Sequence, residues 1–211
     1  MSTFTLILAI AIVLSAYASW RSYNTVFGAI RFGRWADVCL CALAGAILVG
    51  RAAHVLLNWT YFSENLSEAW RLNAGGIDGL GASLGGMIGA ALGAKWRRLP
   101  LNNTFDALTW ALPLLAFAGW AGCAASGGRC GFGREIQTLA YTSPLVAAEL
   151  PDVFGIIVPR YQTQLWGAIL ALCLLGLVAL CFWRGWLVHR RFWLVLILLL
   201  ISMALIGAFR G

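Results

Sequence analysis

Apolar residues in this chain run in long blocks rather than alternating, and the blocks stop where charges begin. Stretches 2–20, 107–128, 161–183 and 192–209 hold no charged residue. About 20 apolar residues is the length a hydrocarbon layer of about 30 Å demands. Two further blocks are interrupted: 38–59 carries Arg51, and 77–94 is rich in glycine. The pattern predicts an all-α integral membrane protein, a bundle of about six transmembrane helices forming a single transmembrane domain over 1–211. A small outer head loop, 127–160, is its largest polar segment and is too short for a core of its own. Pro151 and Pro159 break that loop, and 153–158 reads as a short strand or interfacial segment. The first block has no basic residue ahead of it, and Ala-Tyr-Ala at 16–18 is a poor cleavage site, so it reads as a retained helix.

Composition sharpens this picture. Of 211 residues, 61% are hydrophobic and 11% charged, with mean hydropathy +0.82. The net charge of +7 follows topology and is no nucleic-acid signature. Arg21, Arg31, Arg34, Lys95, Arg97, Arg98, Arg184, Arg190 and Arg191 follow the odd-numbered spans. The opposite loops hold only Arg71, Arg129, Arg134 and Arg160. Under the positive-inside rule both termini lie outside the cytoplasm, and Trp20, Trp35, Trp59, Trp96, Trp183 and Trp193 sit at interfacial depth. Cys39, Cys41, Cys173 and Cys181 are apolar fillers within spans, whereas Cys123 and Cys130 are placed to form a disulfide in an oxidising compartment. No spacing suits a metal, and no cofactor is expected.

Ionisable groups inside a membrane are costly and mark functional candidates. Arg51, His54 and Asn58 form a polar stripe on one helix face. Two partners for Arg51 are open: Asp78 at the start of the third span, or a lipid phosphate. Arg210, one residue from the end, either snorkels to the surface or turns inward. Thr104 and Asp106 suit a helix N-terminus, and Gln164 suits local hydrogen bonding. Gly81, Gly85, Gly89 and Gly93 recur every fourth residue, a stripe for close helix packing that also leaves room for a lipid. In FAGWAGCAASGGRCGFGREI (117–136), Gly122, Gly127 and Gly128 permit close backbone approach, and Arg129 and Arg134 supply forked donors. Together with Gln164 they suit a phosphate at the lipid–water boundary.

These segments, in this order, resemble the prolipoprotein diacylglyceryl transferase family. LAGAILVGRAAHVLLNW (43–59) is similar to its glycine–arginine helix, GGIDGLGASLGG (75–86) to its GG-x-S-F-H-GG-x-x-GG rhythm, and TFDALTWALPLLAFAGWAGCAASGG (104–128) to its D-x-x-A-P…G-R-x-G-N-x-x-N-G segment. RYQTQLWG (160–167) resembles H-P-S-Q-L-Y-E, and IGAFR (206–210) resembles Y-G-x-x-R. Arg51, Asp106, Gln164 and Arg210 match. Leu80 stands in place of a histidine, Trp120 of the signature arginine, Cys123 of an asparagine, Gly167 of a glutamate and Ile206 of a tyrosine.

The resemblance implies transfer of a diacylglyceryl group from phosphatidylglycerol, or another anionic phospholipid, to a lipobox cysteine of a preprolipoprotein in the bacterial inner membrane. It implies Arg210 and Arg51 on the leaving phosphate and His54 assisting the thiol. Two other classes stand beside it. One is a non-catalytic, lipid-holding accessory subunit of a membrane complex, for which the lost histidine and arginine speak. The other is a small transporter, which the scarcity of acidic residues in the spans disfavours.

Overall fold

The computed structural model describes residues 3–71, 76–126, 133–136, 145–151 and 156–209. It is mainly helical: α1 Thr3–Val26, α2 Phe32–Leu57, α3 Trp59–Glu64, α4 Leu66–Ala69, α5 Gly79–Trp96, α6 Leu101–Leu108, α7 Ala111–Ala125, α8 Thr163–Arg184 and α9 Arg191–Gly207. A hairpin, β1 Ala147–Pro151 and β2 Ile157–Tyr161, precedes α8. Among the described residues four stretches are long and apolar enough to cross a membrane: α1, α2, Leu101–Ala125 and α8. The chain is a multi-pass membrane protein. Helix α9 is apolar over 17 residues and α5 is an 18-residue, glycine-rich helix.

The fourth predicted block proves to be two helices. Pro113 has no N–H for the carbonyl of Thr109, and its ring crowds that carbonyl, so the ladder breaks between α6 and α7. The Thr109 hydroxyl donates to the Asp106 carbonyl at 2.6 Å within the break. The strand in the loop also differs from the expectation: β2 begins at Ile157 and runs to Tyr161, and 153–155 lie outside the described residues.

The chain divides into two compact units. One, Tyr23–Phe105, is built on α2 and α5. Gly81, Gly85, Gly89 and Gly93 are buried, and a Cβ on Gly85 or Gly89 would collide with the carbonyl of Gly45 or Cys41. The glycine stripe therefore lays α5 directly on the α2 backbone, where close approach supplies dispersion contact that lipid-facing side chains do not. Asp78 caps α5 by accepting from the Gly81 N–H at 2.6 Å. At the far end of the pair, Arg97 forms an ion pair with Asp37 and lies 4.4 Å from the Trp96 ring centroid. Trp35, expected at an interface, is instead fully buried, its ring 5.3 Å from that of Tyr23. Trp59, Trp96, Trp183 and Trp193 are exposed, as interfacial tryptophans should be.

The other unit comprises Met1–Ser22 and Asp106–Gly211. Its core gathers Ala116 of α7, Ala171 and Leu174 of α8 and Leu199 of α9. Gly122 of α7 admits the Phe4 ring of α1, and Gly167 of α8 admits the Trp120 indole of α7; a Cβ on Gly167 would collide with that ring. Asp106 and Arg191 form a buried ion pair at 3.1 Å. This corrects two expectations. Asp106 is not merely a helix-end cap, and Arg191, 2% exposed, is no surface cation of the loop. Arg191 also donates from Nε to the Trp186 carbonyl at 2.7 Å, with Phe182 beneath its guanidinium at 4.1 Å.

The hairpin pairs Ala147 with Tyr161 and Pro151 with Ile157, antiparallel. A bridge between Glu135 and Arg160 adds the segment at 133–136 to its edge. The Arg134 N–H donates to the Phe209 carbonyl at 2.7 Å, and the Phe209 ring lies 5.4 Å from Tyr161 and 5.5 Å from Trp166. The end of α9 is thus clasped by the head segment and the start of α8.

Candidate functional site

In the Tyr23–Phe105 unit, a cavity of about 260 Å³ is lined by Arg51, His54, Asn58, Tyr61, Phe62, Glu68 and Gly76. Helix α2 presents the first two at a spacing of three, on one face. The chain then leaves α2 at Asn58, whose N–H still bonds the His54 carbonyl at 3.1 Å. The short helices α3 and α4 return Phe62 and Glu68 over that face.

Arg51 is 8% exposed. Its Nε donates to the Ala69 carbonyl at 2.8 Å, Nη1 to Gly76 at 3.0 Å and Nη2 to Glu68 at 2.6 Å. Its guanidinium carbon lies 5.4 Å from the Phe62 ring centroid. Of the two partners left open from sequence, Asp78 is engaged on α5: its Oδ1 accepts from the Gly81 N–H as the helix cap, and its N–H donates to the Gly50 carbonyl at 3.0 Å. The guanidinium gathers backbone carbonyls from both sides of 72–75, residues that lie outside the described set.

Gly76 makes this arrangement feasible. Its φ of +80° is a conformation that side-chain-bearing residues rarely adopt, and a Cβ there would collide with His54 Nε2 and lie 2.9 Å from Arg51 Nη1. The Asn58 amide donates to the His54 carbonyl at 2.9 Å and approaches His54 Nδ1 at 3.5 Å. Tyr61 donates its hydroxyl to Glu68 Oε2 at 2.6 Å. That bond, with the charge of the same carboxylate, raises the phenol above its ordinary pKa of 10.0.

The other predicted site residues lie in the second unit or outside the described residues. Gln164 is buried at the start of α8 and accepts from the Thr163 hydroxyl at 3.1 Å. Arg134 is exposed, with its backbone in the head segment. Gly122 faces Phe4. Gly127, Gly128, Arg129, Cys130 and Arg210 lie outside the described residues. Cys123 is disulfide-bonded. Among the described residues no cluster of three or more His, Cys, Asp or Glu side chains could hold a metal ion.

Sequence reasoning missed Tyr61, Phe62, Glu68 and Gly76. The signal was WTYFSENLSEAW (59–70), an aromatic and acidic segment directly after the Arg51–His54–Asn58 stripe.

The sequence profile of the family described as prolipoprotein diacylglyceryl transferase matches residues 1–210. Among curated proteins, the chain is 31% identical over 106 residues to the phosphatidylglycerol–prolipoprotein diacylglyceryl transferase of Ligilactobacillus salivarius (strain UCC118), covering 49% of this chain and 38% of that protein. It is 31% identical over 91 residues to the enzyme of Clostridium novyi (strain NT), covering 43% and 34%. It is 38% identical over 76 residues to that of Mycobacterium leprae (strain Br4923), covering 34% and 23%. The chain thus spans between 23% and 38% of the length of these relatives. With a family profile matched from residue 1 to residue 210, on a fold of long apolar helices, the chain belongs to the prolipoprotein diacylglyceryl transferase family.

Proposed function

We propose that the chain acts as a phosphatidylglycerol–prolipoprotein diacylglyceryl transferase in the bacterial inner membrane. In this reading it crosses the membrane six times, through α1, α2, α5, the α6–α7 pair, α8 and α9, with both termini outside the cytoplasm. The observation that carries the reading is the pocket that joins buried Arg51 to His54 in a chain matched by the family along its length.

The reaction sets two tasks. The lipobox thiol must lose its proton as a sulfur–carbon bond forms at the glyceryl group, and the carbon–oxygen bond to phosphate must break, releasing glycerol phosphate. His54 is the imidazole we assign to accept the thiol proton. Arg51 holds Glu68, Ala69 and Gly76 through their carbonyls and so positions the pocket in which His54 sits. In the other unit, Arg210, with Arg129 and Arg134, is assigned to positive charge on the departing phosphate. Gly122, Gly127, Gly128 and Gln164 are assigned to the backbone and amide contacts around it.

A second reading is favoured by one contact. Trp120 and Gly167, which replace the family's arginine and glutamate, pack on each other in α7 and α8. The indole fills the volume that the absent side chain leaves, so two departures make one apolar joint. A chain so rebuilt would serve as a lipid-holding accessory subunit.

One experiment separates the readings. Purified protein is reconstituted with radiolabelled phosphatidylglycerol and a lipobox peptide. The transferase reading expects label on the peptide cysteine, lost in Arg210→Ala and reduced by about 10²–10⁴-fold in His54→Ala, the usual worth of a general base. Folded, lipid-binding protein that transfers no label would overturn it and favour the subunit. Stoichiometric partners would then co-purify in mild detergent, whereas isolation as a lone monomer would count against the subunit.

A further inference from the structure

The Tyr23–Phe105 unit segregates its charges. Three of its four carboxylates belong to one end: Glu64 and Glu68 follow α2, and Asp78 caps the start of α5. Five of its seven Lys and Arg residues belong to the other: Arg31 and Arg34 at the start of α2, and Lys95, Arg97 and Arg98 at the end of α5. The glycine contacts bring these two termini together. A Cβ on Gly81 would meet Gly50, one on Gly85 Gly45, one on Gly89 Cys41 and one on Gly93 Val38, so the helices run antiparallel. One more turn on the same course sets residue 97 level with Arg34.

Asp37 is the carboxylate of that end, and Arg97 occupies it. The other four cations, Arg31, Arg34, Lys95 and Arg98, are exposed, and their side chains make no hydrogen bond or ion pair among the described residues. Lys95 and Arg98 sit well, because a helix C-terminus carries partial negative charge. Arg31 and Arg34 sit at the opposite pole. Helix α2 has no acidic residue in its first turn, and Arg31, its N-cap, makes no side-chain capping bond. Cations thus crowd a positive helix end beside further cations, an arrangement that repels itself until an anion joins it. Trp96, 65% exposed, marks this level as the lipid–water boundary.

We propose that the paired termini of α2 and α5 hold the phosphate of an anionic phospholipid from the leaflet at that end, in the forks of Arg34 and Arg98 with Arg31 and Lys95 around them. Guanidinium forks match phosphate oxygens, and basic clusters at span ends draw anionic headgroups. The site lies about 25 Å of helix from Arg51, at 1.5 Å per residue from Arg34. No bond of this lipid is made or broken, and its binding is independent of diacylglyceryl transfer.

The test is a calorimetric titration of the full chain in mild detergent with short-chain phosphatidic acid, then with phosphatidylcholine of the same acyl length. Phosphatidic acid is expected to bind more tightly. Arg34→Gln/Arg98→Gln should weaken it about 30-fold, two basic residues each at the usual worth of one beside anionic lipid. Arg34→Lys/Arg98→Lys keeps the charge and should keep most of the affinity, which separates recognition from loss of fold. Arg184→Gln/Arg190→Gln removes the same charge from exposed residues of the other unit and should change the affinity by less than about twofold. Equal loss in the two glutamine variants would reduce the effect to diffuse surface charge and overturn the proposal, as would equal affinity for the two lipids. Arg210→Ala should leave binding intact; loss there would move the phosphate to the other unit and also overturn it. Inorganic phosphate at equal concentration should not displace the lipid, and displacement would overturn the lipid assignment. Label transfer to the lipobox peptide should be unchanged in Arg34→Gln/Arg98→Gln, so failure of this proposal and failure of the transferase reading appear in different measurements.

Discussion

Two buried arginines, Arg51 in one unit and Arg191 in the other, solve the same problem in different ways. Arg191 meets a full opposite charge, Asp106, and adds the Trp186 carbonyl and the Phe182 face. Its acceptors come from α6, α8 and the turn before α9, so the guanidinium ties three elements together. Arg51 meets backbone dipoles instead, three carbonyls within eight residues of each other in sequence, 68 to 76. A charge paired with a charge is fixed, because losing the partner leaves an ion in a low-dielectric interior. A charge solvated by carbonyls organises a loop, and each bond can be given up singly. The first arrangement suits a structural joint, the second the wall of a binding pocket.

The largest effect should come from breaking the Arg191 joint. Arg191→Met alone is expected to destabilise the protein by about 3–5 kcal/mol in denaturant unfolding in detergent, because Asp106 is left buried without its partner. The double variant Asp106→Leu/Arg191→Met should recover most of that loss. A double variant as unstable as the single one would show that the lost packing, and not the orphaned charge, sets the cost.

Arg51→Lys should be milder and local. The charge remains, but an ammonium cannot reproduce a planar fork on three carbonyls. A loss of about 1–3 kcal/mol, the worth of one or two such bonds, should appear as faster hydrogen exchange in 59–71 with no change in 184–191. Equal change in both segments would abolish the contrast between the two arginines.

The smallest effect is at Tyr61. Its proton is held more tightly in the folded state than in the unfolded chain, so the contribution is present in full below pH 10. It is lost as pH rises through the raised folded-state value. In a tyrosinate absorbance titration, a late-ionising phenol should move back toward 10 in Glu68→Gln. No shift in that variant would remove the Tyr61–Glu68 bond from the pocket's wall.

These contrasts set the limits of sequence reading here. Block length marked the long apolar helices, and the glycine period marked a face of close helix packing, because both are local properties of one strip of chain. The stripe Arg51–His54–Asn58 was legible for the same reason. Its partners were not: Glu68 and Gly76 return from 17 and 25 residues away, across two short helices whose polarity reads as ordinary loop. Arg191 was taken for a topological cation since nothing in its neighbourhood reveals Asp106, 85 residues earlier. Trp35 looked interfacial because the Tyr23 ring that packs beside it comes from across the turn between α1 and α2.

By itself, then, the sequence determined that this protein lives in a membrane, that α5 lies close against a neighbour, and which family it belongs to. Hydrophobic length, small-residue period and ordered motifs need no third dimension. Only the tertiary structure decided which acceptors surround each buried guanidinium, that Trp120 and Gly167 form one joint, and that Glu68 and Gly76 join His54 in the pocket behind Arg51. The physical reason is that a buried charge is defined by what satisfies it, and those partners are brought together by packing rather than by proximity in the chain.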